Sequence, residues 1–563
     1  MNTDKKEVRA LVEICVAHGV RHAVISPGSR NSPITIAFDQ HPEIITHSIV
    51  DERSAGFVAM GMAIKSQQPA VVVCTSGSAL LNYSPAVVEA FYQHIPLVVI
   101  SADRPTELIN QGLGQSIEQH NLLTPIVKKA VSLPNVIHNK EQQWFCERLI
   151  NEALIAATSH NPGPVHINVP LSEPLYETNN ETYPPAKIIK LASANKQQWD
   201  LPDLNNYRKI LILVGQMPPN KDVFDRLETL SSLPQVQVWT ESTSNQSHPD
   251  FVEGIDKLLA SFTNNDGQDF APDLLITLGD AIVSKRIKEY LQQSFEYEHW
   301  QVGLSEKVVD TYQHLTNVYQ TRTADWLTQF IKHLTPNLDA TYRDLAATRN
   351  EDIALHHANF CEQADYSDFL VYHQISTYLL DKTADLHVAN SAAIRYIQLF
   401  ERSALQTYFC NRGTSGIDGS TSTAVGSAMV SNPNQDTWFL TGDVSFLYDS
   451  NAFWNKELPN NLKIVVVNNS GGGIFRVIDG PNKTDVLETF LETHHSLTGE
   501  HVCEQHGVDY TTASTSKEIK TGLHWLHTAT NTAVLEIFTP RLENADILKE
   551  YFNYLNNQDY GNN

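Results

Sequence analysis

The chain has 563 residues, a formal net charge of −24 and 41% hydrophobic residues. This length predicts several domains, each with its own core, and the acidic balance argues against nucleic acid or an anionic membrane as a partner. No apolar run reaches the length of a membrane span, and the N-terminal segment has no signal-peptide core. The six cysteines form no Cys-x-x-Cys pair, so we expect a cytoplasmic protein with reduced thiols.

The first part of the chain, residues 1–182, alternates helical patterns with short apolar strands. The predicted strands cover residues 22–25, 71–74, 97–100 and 165–169. Continuous apolar strands separated by helices predict a parallel sheet that is covered on both faces. A polar segment ending in Pro184-Pro185 then predicts a linker.

Two further α/β units follow, over residues 186–345 and 356–563. In the middle unit, strands 210–214 and 274–278 each run into a glycine, as in Rossmann-like folds, but no Gly-x-Gly-x-x-Gly follows. A nucleotide site is therefore one interpretation, and a purely structural domain is the favoured one. The last unit carries strands 386–389, 438–440, 464–467 and 533–537. The predicted fold class is α/β, with three doubly wound parallel-sheet domains of which the first and third resemble each other.

A repeated pattern supports that likeness between the first and third domains. Ala59-x-Gly61-x-Ala63 recurs as Ala424-x-Gly426-x-Ala428, and a Thr-to-Ser spacing of nine positions occurs at Thr75–Ser84 and again at Thr441–Ser450. Matching residues at matching spacings predict a duplicated domain.

The third domain carries a candidate metal site at the end of two strands. Asp443 follows a buried strand, where doubly wound folds bind ligands, and Asn469 follows the next strand. The glycines that begin at Gly471 free a backbone carbonyl as a third oxygen ligand. Three protein oxygens, two phosphate oxygens and one water would complete the octahedron that Mg²⁺ requires. The glycine-rich loop 413–419 could cradle phosphate; the alternative is that each segment is only a turn.

The first domain lacks this acid but has Glu52 after the apolar residues 48–50. Taken alone, Glu52 is typical of an acidic residue at a helix N-terminus. A duplicated α/β domain with a metal–diphosphate site in one copy and a lone glutamate in the other resembles the thiamine diphosphate (ThDP) decarboxylase and synthase superfamily. In that superfamily the glutamate activates the aminopyrimidine ring of ThDP by sharing its proton, and an apolar residue such as Ile417 supports the bent cofactor.

Four local strings narrow the resemblance. They are Ile-Ser-Pro-Gly-Ser-Arg-Asn-Ser-Pro at 25–33, Ser-Ala-Asp-Arg-Pro at 101–105, Arg-Gly-Thr-Ser-Gly-Ile-Asp-Gly at 412–419 and Asn-Asn-Ser-Gly-Gly-Gly-Ile-Phe at 468–475. They resemble the 2-succinyl-5-enolpyruvyl-6-hydroxy-3-cyclohexene-1-carboxylate synthase family of menaquinone biosynthesis. Gly442-Asp443-Val444 departs from the Gly-Asp-Gly of most superfamily members but is typical of this branch.

The resemblance implies that 2-oxoglutarate loses CO₂ and that its succinyl unit adds to isochorismate, with ThDP and Mg²⁺, which Mn²⁺ can replace, as cofactors. It also implies a homodimer or a dimer of dimers with active sites between subunits. Glu52 is the implied catalytic residue, and the implied metal ligands are Asp443, Asn469 and Gly471. The implied cofactor contacts are Glu52, Thr75, Ser76, Gly77, Ser415, Gly416, Ile417, Gly442, Asp443, Val444, Ser445 and Asn469. The implied substrate contacts are Ser29, Arg30, Arg104, Gln115, Lys285, Arg286, Ser391, Arg395, Arg412, Ile474 and Phe475.

Three alternatives stay open on the sequence. Lys285 and Arg286 could be a solvated charge pair at a helix start. The enzyme could be another ThDP-dependent 2-oxoacid decarboxylase or ligase, such as an acetohydroxyacid synthase, which usually needs FAD and would be yellow. The chain could also be a ThDP-fold protein without turnover, which the presence of Glu52 disfavours.

Overall fold

The computed structural model describes residues 2–191, 199, 201–263, 266–293, 295–478, 480–558 and 560. A stretch at the start of the predicted central domain, 192–198, and the C-terminal residues 561–563 of the third lie outside the described residues. Three parallel sheets of six, five and six strands form the scaffold. This confirms the predicted α/β class.

The first domain is a six-stranded parallel sheet in the order β3-β2-β4-β5-β7-β6, with a separate antiparallel pair β1-β8. Its strands are β1 (Asn2–Thr3), β2 (His22–Ile25), β3 (Ile45–Ser48), β4 (Ala70–Cys74), β5 (Leu97–Asp103), β6 (Lys129–Ser132), β7 (Val165–Pro170) and β8 (Thr178–Asn179). Its helices are α1 (Lys6–Ala17), α2 (Ser32–Asp39), α3 (Glu52–Ser66), α4 (Ala79–Asn82), α5 (Ser84–Tyr92) and α6 (Lys140–Thr158).

The central domain is a five-stranded parallel sheet in the order β10-β9-β11-β12-β13. Its strands are β9 (Ile210–Val214), β10 (Val236–Thr240), β11 (Leu274–Leu278), β12 (Glu298–Gly303) and β13 (Leu315–Gln320). Its helices are α7 (Lys221–Ser231), α8 (Ile255–Ala260), α9 (Asp266–Asp269), α10 (Lys285–Leu291) and α11 (Thr323–His333). One continuous helix, α12 (Thr341–Gln363), then spans the predicted boundary at 345–356, which stays a prediction.

The third domain repeats the strand order of the first. Its sheet runs β15-β14-β16-β17-β19-β18, which is the same 2-1-3-4-6-5 order when each sheet is numbered from its first strand. Its strands are β14 (Ala384–Val388), β15 (Gln406–Phe409), β16 (Thr437–Gly442), β17 (Leu462–Asn468), β18 (Asp509–Ala513) and β19 (Ala533–Phe538). Its helices are α13 (Asp368–Leu379), α14 (Ala392–Ile397), α15 (Ser420–Val430), α16 (Asp443–Tyr448), α17 (Ile474–Val477), α18 (Glu500–His506), α19 (Ser516–Thr528) and α20 (Glu543–Asn556).

Short helical turns complete the secondary structure. A π-helical turn occupies Leu487–Leu491. The 3₁₀ turns occupy Thr106–Leu108, Thr124–Ile126, Leu204–Asn206, Ser242–Ser244, Ser450–Phe453 and Pro481–Lys483.

The two copies of the Ala-x-Gly-x-Ala motif pack against each other. They lie on α3 and α15, which cross between the first and third domains. A Cβ atom on Gly426 would lie 2.0 Å from the carbonyl oxygen of Val58, and one on Gly61 would lie 2.1 Å from that of Thr423. Only glycine allows this close backbone approach. Because of this contact, one hydrophobic core runs through both domains.

The carboxyl ends of β9 and β11, where the strand order of the central sheet reverses, are filled by protein. A Cβ atom on Gly215 would lie 2.2 Å from the carbonyl oxygen of Asp280. Gln216 donates hydrogen bonds to Gln93 of the first domain (3.0 Å) and to the backbone oxygen of Cys410 of the third (2.8 Å). These contacts occupy the position that a nucleotide takes in doubly wound folds, which favours the structural interpretation of the domain.

Among the described residues, no helix has both the length and the apolar character needed to cross a bilayer.

Candidate active site

Two neighbouring strands of the third sheet place Asp443 and Asn469 at one edge. β16 and β17 pair in parallel with Gly442 opposite Val467. Asp443 follows β16 directly as the first residue of α16, and Asn469 follows β17. The adjacent carboxyl ends of parallel strands therefore bring these two side chains together, as the sequence predicted.

The hydrogen bonds that Asp443 and Asn469 form with the described residues leave one side-chain oxygen without a partner. Asp443 is buried, and its carboxylate accepts from the backbone N–H of Val444 (2.7 Å) and of Gly471 (2.8 Å). The side-chain nitrogen of Asn469 donates to Asp368 (2.9 Å), while its buried Oδ1 has no hydrogen-bond partner among the described residues. A carboxylate and an unpartnered amide oxygen fit a hard divalent cation.

Asp368 orients the Asn469 amide and was not found in the sequence. Burial raises the pKa of Asp368 to about 6, although the Thr539 hydroxyl (2.6 Å) and the Asn469 amide donate hydrogen bonds that favour its ionised form. Because Asp368 accepts from the nitrogen of Asn469, it fixes the orientation of the amide and leaves the oxygen as the unpartnered atom. Asp368 precedes this corner by about 75 residues along the chain, so no local pattern indicated its role.

The loop after Asn469 carries the predicted apolar wall. Gly471 has a φ of +150°, and a Cβ atom there would lie 2.7 Å from the backbone oxygen of Glu492. Ile474, which is buried, and Phe475, which is half-buried, begin α17 directly after the glycines. The Phe475 N–H donates to the carbonyl oxygen of Gly472 (3.1 Å). The predicted wall residues therefore lie directly after the loop that carries Gly471, the predicted third metal ligand.

The predicted phosphate loop lies against α16. The Ser445 hydroxyl donates to the carbonyl oxygen of Ile417 (3.0 Å). The side chain of Asn390 donates to the carbonyl oxygens of Gly416 (2.8 Å) and Asn411 (2.6 Å). The structure thus brings residues 415–417 and 442–445 together.

Glu52 is the first residue of α3, but it does not cap that helix. The Asp51 side chain accepts from the backbone N–H of Arg53 (2.9 Å) and serves as the cap. The half-buried Glu52 carboxylate instead accepts from the side chain of Asn82 (3.2 Å) in its own domain. Within the described residues, none of its hydrogen bonds joins it to the third domain.

The remaining residues predicted in the first domain lie at the carboxyl edge of its sheet. The Ser76 hydroxyl donates to the carbonyl oxygen of Gln115 (2.8 Å), and the Gly77 N–H donates to the side chain of Gln119 (2.7 Å). Arg104 donates to the carbonyl oxygen of Gly114 (2.8 Å), while its buried Nε has no partner among the described residues. Thr75 precedes this group, so the structure places Thr75, Ser76, Gly77, Arg104 and Gln115 together.

Arg30 and Ser29 differ in their surroundings. Arg30 is buried and forms an ion pair with Glu173 (3.0 Å), a partner that the sequence did not indicate. It also donates to the carbonyl oxygen of Leu171 (3.0 Å). Ser29 is exposed beside it. The carboxylate of Glu173 therefore partly balances the positive charge of Arg30 at the carboxyl edge of the first sheet.

A cluster of three cations, Lys288, Arg395 and Arg412, forms where the central and third domains meet. Arg395 donates to the carbonyl oxygen of Ser391 (2.7 Å), and Arg412 donates to the side-chain oxygen of Asn390 (3.0 Å). Burial, and then the charge of Arg412, lower the pKa of both Lys288 and Arg395. The buried Nε of Arg412 has no partner, and in the described part of the chain none of the three forms an ion pair.

Lys288 is the central-domain member of this cluster, in addition to the predicted Lys285 and Arg286. Lys285 is exposed and pairs with Glu289 (3.1 Å), and Arg286 is exposed and lies over the Phe552 ring (4.3 Å). Lys285 and Arg286 therefore stay predictions as substrate contacts. Lys288 lies three positions after Lys285 on α10, and no local pattern in the sequence singled it out.

Comparison with known proteins agrees with this architecture. Three family models match: the thiamine pyrophosphate enzyme N-terminal TPP binding domain over residues 6–122, the middle domain of thiamine pyrophosphate over 178–385, and the thiamine pyrophosphate enzyme C-terminal TPP binding domain over 390–537.

Curated relatives match along nearly the whole chain. The 2-succinyl-5-enolpyruvyl-6-hydroxy-3-cyclohexene-1-carboxylate synthase of Flavobacterium johnsoniae is 41% identical, covering 97% of this chain and 98% of its own. The proteins of the same name from Phocaeicola vulgatus and Porphyromonas gingivalis are 38% and 35% identical, each covering 99% of this chain and 100% and 98% of their own. The chain belongs to the 2-succinyl-5-enolpyruvyl-6-hydroxy-3-cyclohexene-1-carboxylate synthase family of ThDP-dependent enzymes.

Proposed function

We propose that this chain is the synthase that decarboxylates 2-oxoglutarate and adds the succinyl unit to isochorismate, in menaquinone biosynthesis. The observation that carries the proposal is the cluster of Lys288, Arg395 and Arg412, in which no member forms an ion pair within the described part of the chain, although the protein has a net charge of −24. Both substrates are polyanions. Guanidinium groups pair with carboxylates in bidentate geometry, so unpaired arginines suit such substrates.

In this proposal the third domain holds the charged end of the cofactor. Asp443, Asn469 and the carbonyl oxygen of Gly471 bind Mg²⁺, or Mn²⁺ in its place. The backbone of residues 442–445 and the loop 415–417 hold the diphosphate and the adjoining rings. When bound, ThDP would supply a carbon nucleophile and a positively charged ring that accepts the electron pair left by decarboxylation. The free Oδ1 of Asn469 supports this assignment.

The first domain, in the same proposal, contacts the aminopyrimidine ring. Glu52 exchanges a proton with that ring, which is the general acid–base role of a carboxyl group. Thr75, Ser76 and Gly77 lie at the end of β4 and line the same edge. Ser29, Arg30, Arg104 and Gln115 extend that edge toward the substrates, with Ser391, Ile474 and Phe475 on the opposite side. Lys285 and Arg286 remain further candidate contacts.

A second copy of the chain is proposed to complete the site. Glu52 lies among exposed apolar side chains: Val50 is 39%, Leu81 46%, Tyr448 56% and Trp454 51% exposed. Contacts connect this patch, because Arg53 lies over the Tyr448 ring (5.0 Å) and Ile49 forms a bridge with Asn455. An exposed apolar patch around a functional carboxylate fits a protein interface. We therefore propose a homodimer, alone or within a dimer of dimers, in which the partner's third domain faces Glu52.

We also propose that the enzyme works in the cytoplasm. All six cysteines are buried and unpaired, which suits a reducing compartment.

Replacing Arg412 by glutamine should raise KM for an anionic substrate by about 10- to 100-fold, because a charge-assisted contact to a carboxylate is lost. ThDP affinity should stay within about threefold, since Arg412 holds substrate in this proposal. Steady-state kinetics with each substrate varied in turn would measure the change. Arg208→Gln, at an exposed arginine of the central domain, is the matched control. An unchanged KM for both substrates would remove Arg412 from the site.

Replacing Lys288 by methionine should raise KM for one of the two substrates by about tenfold, because methionine keeps the aliphatic stem but removes the charge. Lys221→Met, at an exposed lysine paired with Asp225, is the control and should behave as wild type. If both variants show the same KM values, Lys288 does not face substrate.

The proposed function is tested by incubating the protein with ThDP, Mg²⁺ and 2-oxoglutarate, with and without isochorismate. We expect isochorismate to be consumed only in the complete mixture, and mass spectrometry should identify the succinylated cyclohexene product with CO₂ released in equal amount. Consumption of 2-oxoglutarate without any coupled loss of isochorismate would contradict the proposal and indicate another 2-oxoacid decarboxylase. A colourless protein is expected, since no flavin is part of this assignment.

A further inference from the structure

Glu89 of the first domain holds a loop of the third domain. It lies on α5 and is 1% exposed. One carboxylate oxygen accepts from the backbone N–H of Gly413 (2.6 Å), and the other accepts from the backbone N–H (2.7 Å) and the hydroxyl (2.6 Å) of Thr414. Hydrogen bonds to an ionised carboxylate are about twice as strong as neutral ones. A single side chain thus fixes two consecutive residues that lie 324 positions away in the sequence.

A chain of amide contacts extends this clamp to the central domain. The Gln93 side chain donates to Glu89 and accepts from the Gln216 side chain (3.0 Å). Gln216 also donates to the carbonyl oxygen of Cys410 (2.8 Å). All three domains therefore hold segment 410–414, and Arg412 lies in the middle of that segment with its side chain on Asn390 (3.0 Å).

We propose that Glu89 is a positioning residue for the active site, acting through segment 410–417. It aligns Arg412 toward the substrate carboxylate and sets the backbone that leads into Ser415, which has a φ of +62°. In this proposal Glu89 acts through these residues and is not itself a contact of substrate or cofactor. The inference rests on the proposed function, in which Arg412 binds substrate and residues 415–417 contact ThDP.

Glutamine in place of Glu89 has nearly the same size and shape as glutamate, but it cannot accept all of the same hydrogen bonds. The loop offers three donors, and the carboxylate accepts all of them. An amide would turn its own N–H₂ group toward one of these donors, whichever way it is flipped. At least one contact to Gly413 or Thr414 is then lost, and one polar group is left buried without a partner.

The experiment compares the holoenzymes of wild type, Glu89→Gln and Glu147→Gln. Glu147 is the matched control, because it is a buried glutamate of the same domain that accepts from the backbone N–H of Lys187 (3.3 Å) and from Gln143 (2.9 Å). For Glu89→Gln we expect KM for an anionic substrate and the dissociation constant of ThDP to rise about 10- to 100-fold. Glu147→Gln should keep both at wild-type values.

Hydrogen–deuterium exchange of the cofactor-free proteins gives a readout that does not depend on turnover. The peptide that covers residues 410–417 should exchange faster in Glu89→Gln and at the wild-type rate in Glu147→Gln, since the amides of Gly413 and Thr414 lose their acceptor. A merely structural role would reduce the amount of folded protein without changing KM or ThDP affinity of the folded fraction.

The outcomes separate the two proposals. A wild-type protein that forms no product contradicts the proposed function, while the exchange rates still report on the clamp. If Glu89→Gln has the same KM, ThDP affinity and exchange rate as wild type, the positioning role is overturned. If Glu89→Gln does not fold, Thr414→Val removes only the hydroxyl contact. It should raise the same KM by a smaller factor, and an unchanged KM in that variant overturns the inference.

Discussion

Replacing Glu52 by glutamine is expected to lower kcat by about 10²- to 10⁴-fold, while ThDP affinity changes by less than about tenfold. Glutamine keeps the size and the hydrogen bond to Asn82, which lies 3.2 Å from the carboxylate. It cannot give or take a proton at the aminopyrimidine ring. The loss should therefore appear in turnover and not in binding. Steady-state kinetics and a ThDP titration followed by tryptophan fluorescence would measure both.

The fold of the Glu52→Gln variant should stay intact. Asp51 and not Glu52 caps α3, and an acidic residue in the first turn of a helix stabilises it by only about 0.3–1 kcal/mol. Glu141→Gln is the matched control, because Glu141 is an exposed glutamate in the first turn of α6 in the same domain. Full activity of Glu52→Gln would show that Glu52 is only a helix-terminal acid.

Replacing Asp443 by alanine is expected to weaken Mg²⁺-dependent ThDP binding by at least about 100-fold. Loss of even an outer partner of a metal ligand costs about 10- to 100-fold in metal affinity, and Asp443 is proposed as a ligand itself. The same change leaves the N–H groups of Val444 and Gly471 without their acceptor. Calorimetric titration of ThDP at several Mg²⁺ concentrations would measure the effect.

Two further variants separate charge from position at this corner. Asp443→Asn keeps the shape, and an affinity between those of wild type and alanine would indicate that charge and geometry both contribute. Asp436→Ala is the control variant. Asp436 lies just before the amino end of β16 and pairs with His527 (2.9 Å). This variant should bind ThDP as wild type does. Unchanged ThDP affinity and Mg²⁺ dependence in Asp443→Ala would refute the metal site.

The interior strands of all three sheets were largely predictable, and the edge strands were not. β4, β5 and β17 are buried along their whole length, so they appear in the sequence as continuous apolar runs. β3 and β6 at the edges of the first sheet carry polar residues such as His47 and Lys129, and the sequence did not indicate them. An edge strand has one neighbour and a partly solvated surface, so its composition resembles a loop.

The candidate site divides in a similar way. Asp443 and Asn469 each follow an apolar strand, and parallel strands end at one edge, so local pattern and sheet geometry together predicted their meeting. Asp368, Lys288 and Glu89 come from helices whose register toward the site depends on packing. Nothing in their neighbouring residues distinguishes them from ordinary surface or capping positions.

The amino-acid sequence by itself determined the duplicated domain, the family and the meeting of Asp443 with Asn469 at one edge of the sheet. Each of these depends on short motifs and on their spacing along the chain. The tertiary structure decided which charges are free. It pairs Arg30 with Glu173 and Lys285 with Glu289, and it brings Lys288, Arg395 and Arg412 near enough that the charge of Arg412 lowers the pKa of the other two. Partners of this kind lie far apart in the chain, and only the packing of one domain on another sets their distances and hence their electrostatic energies.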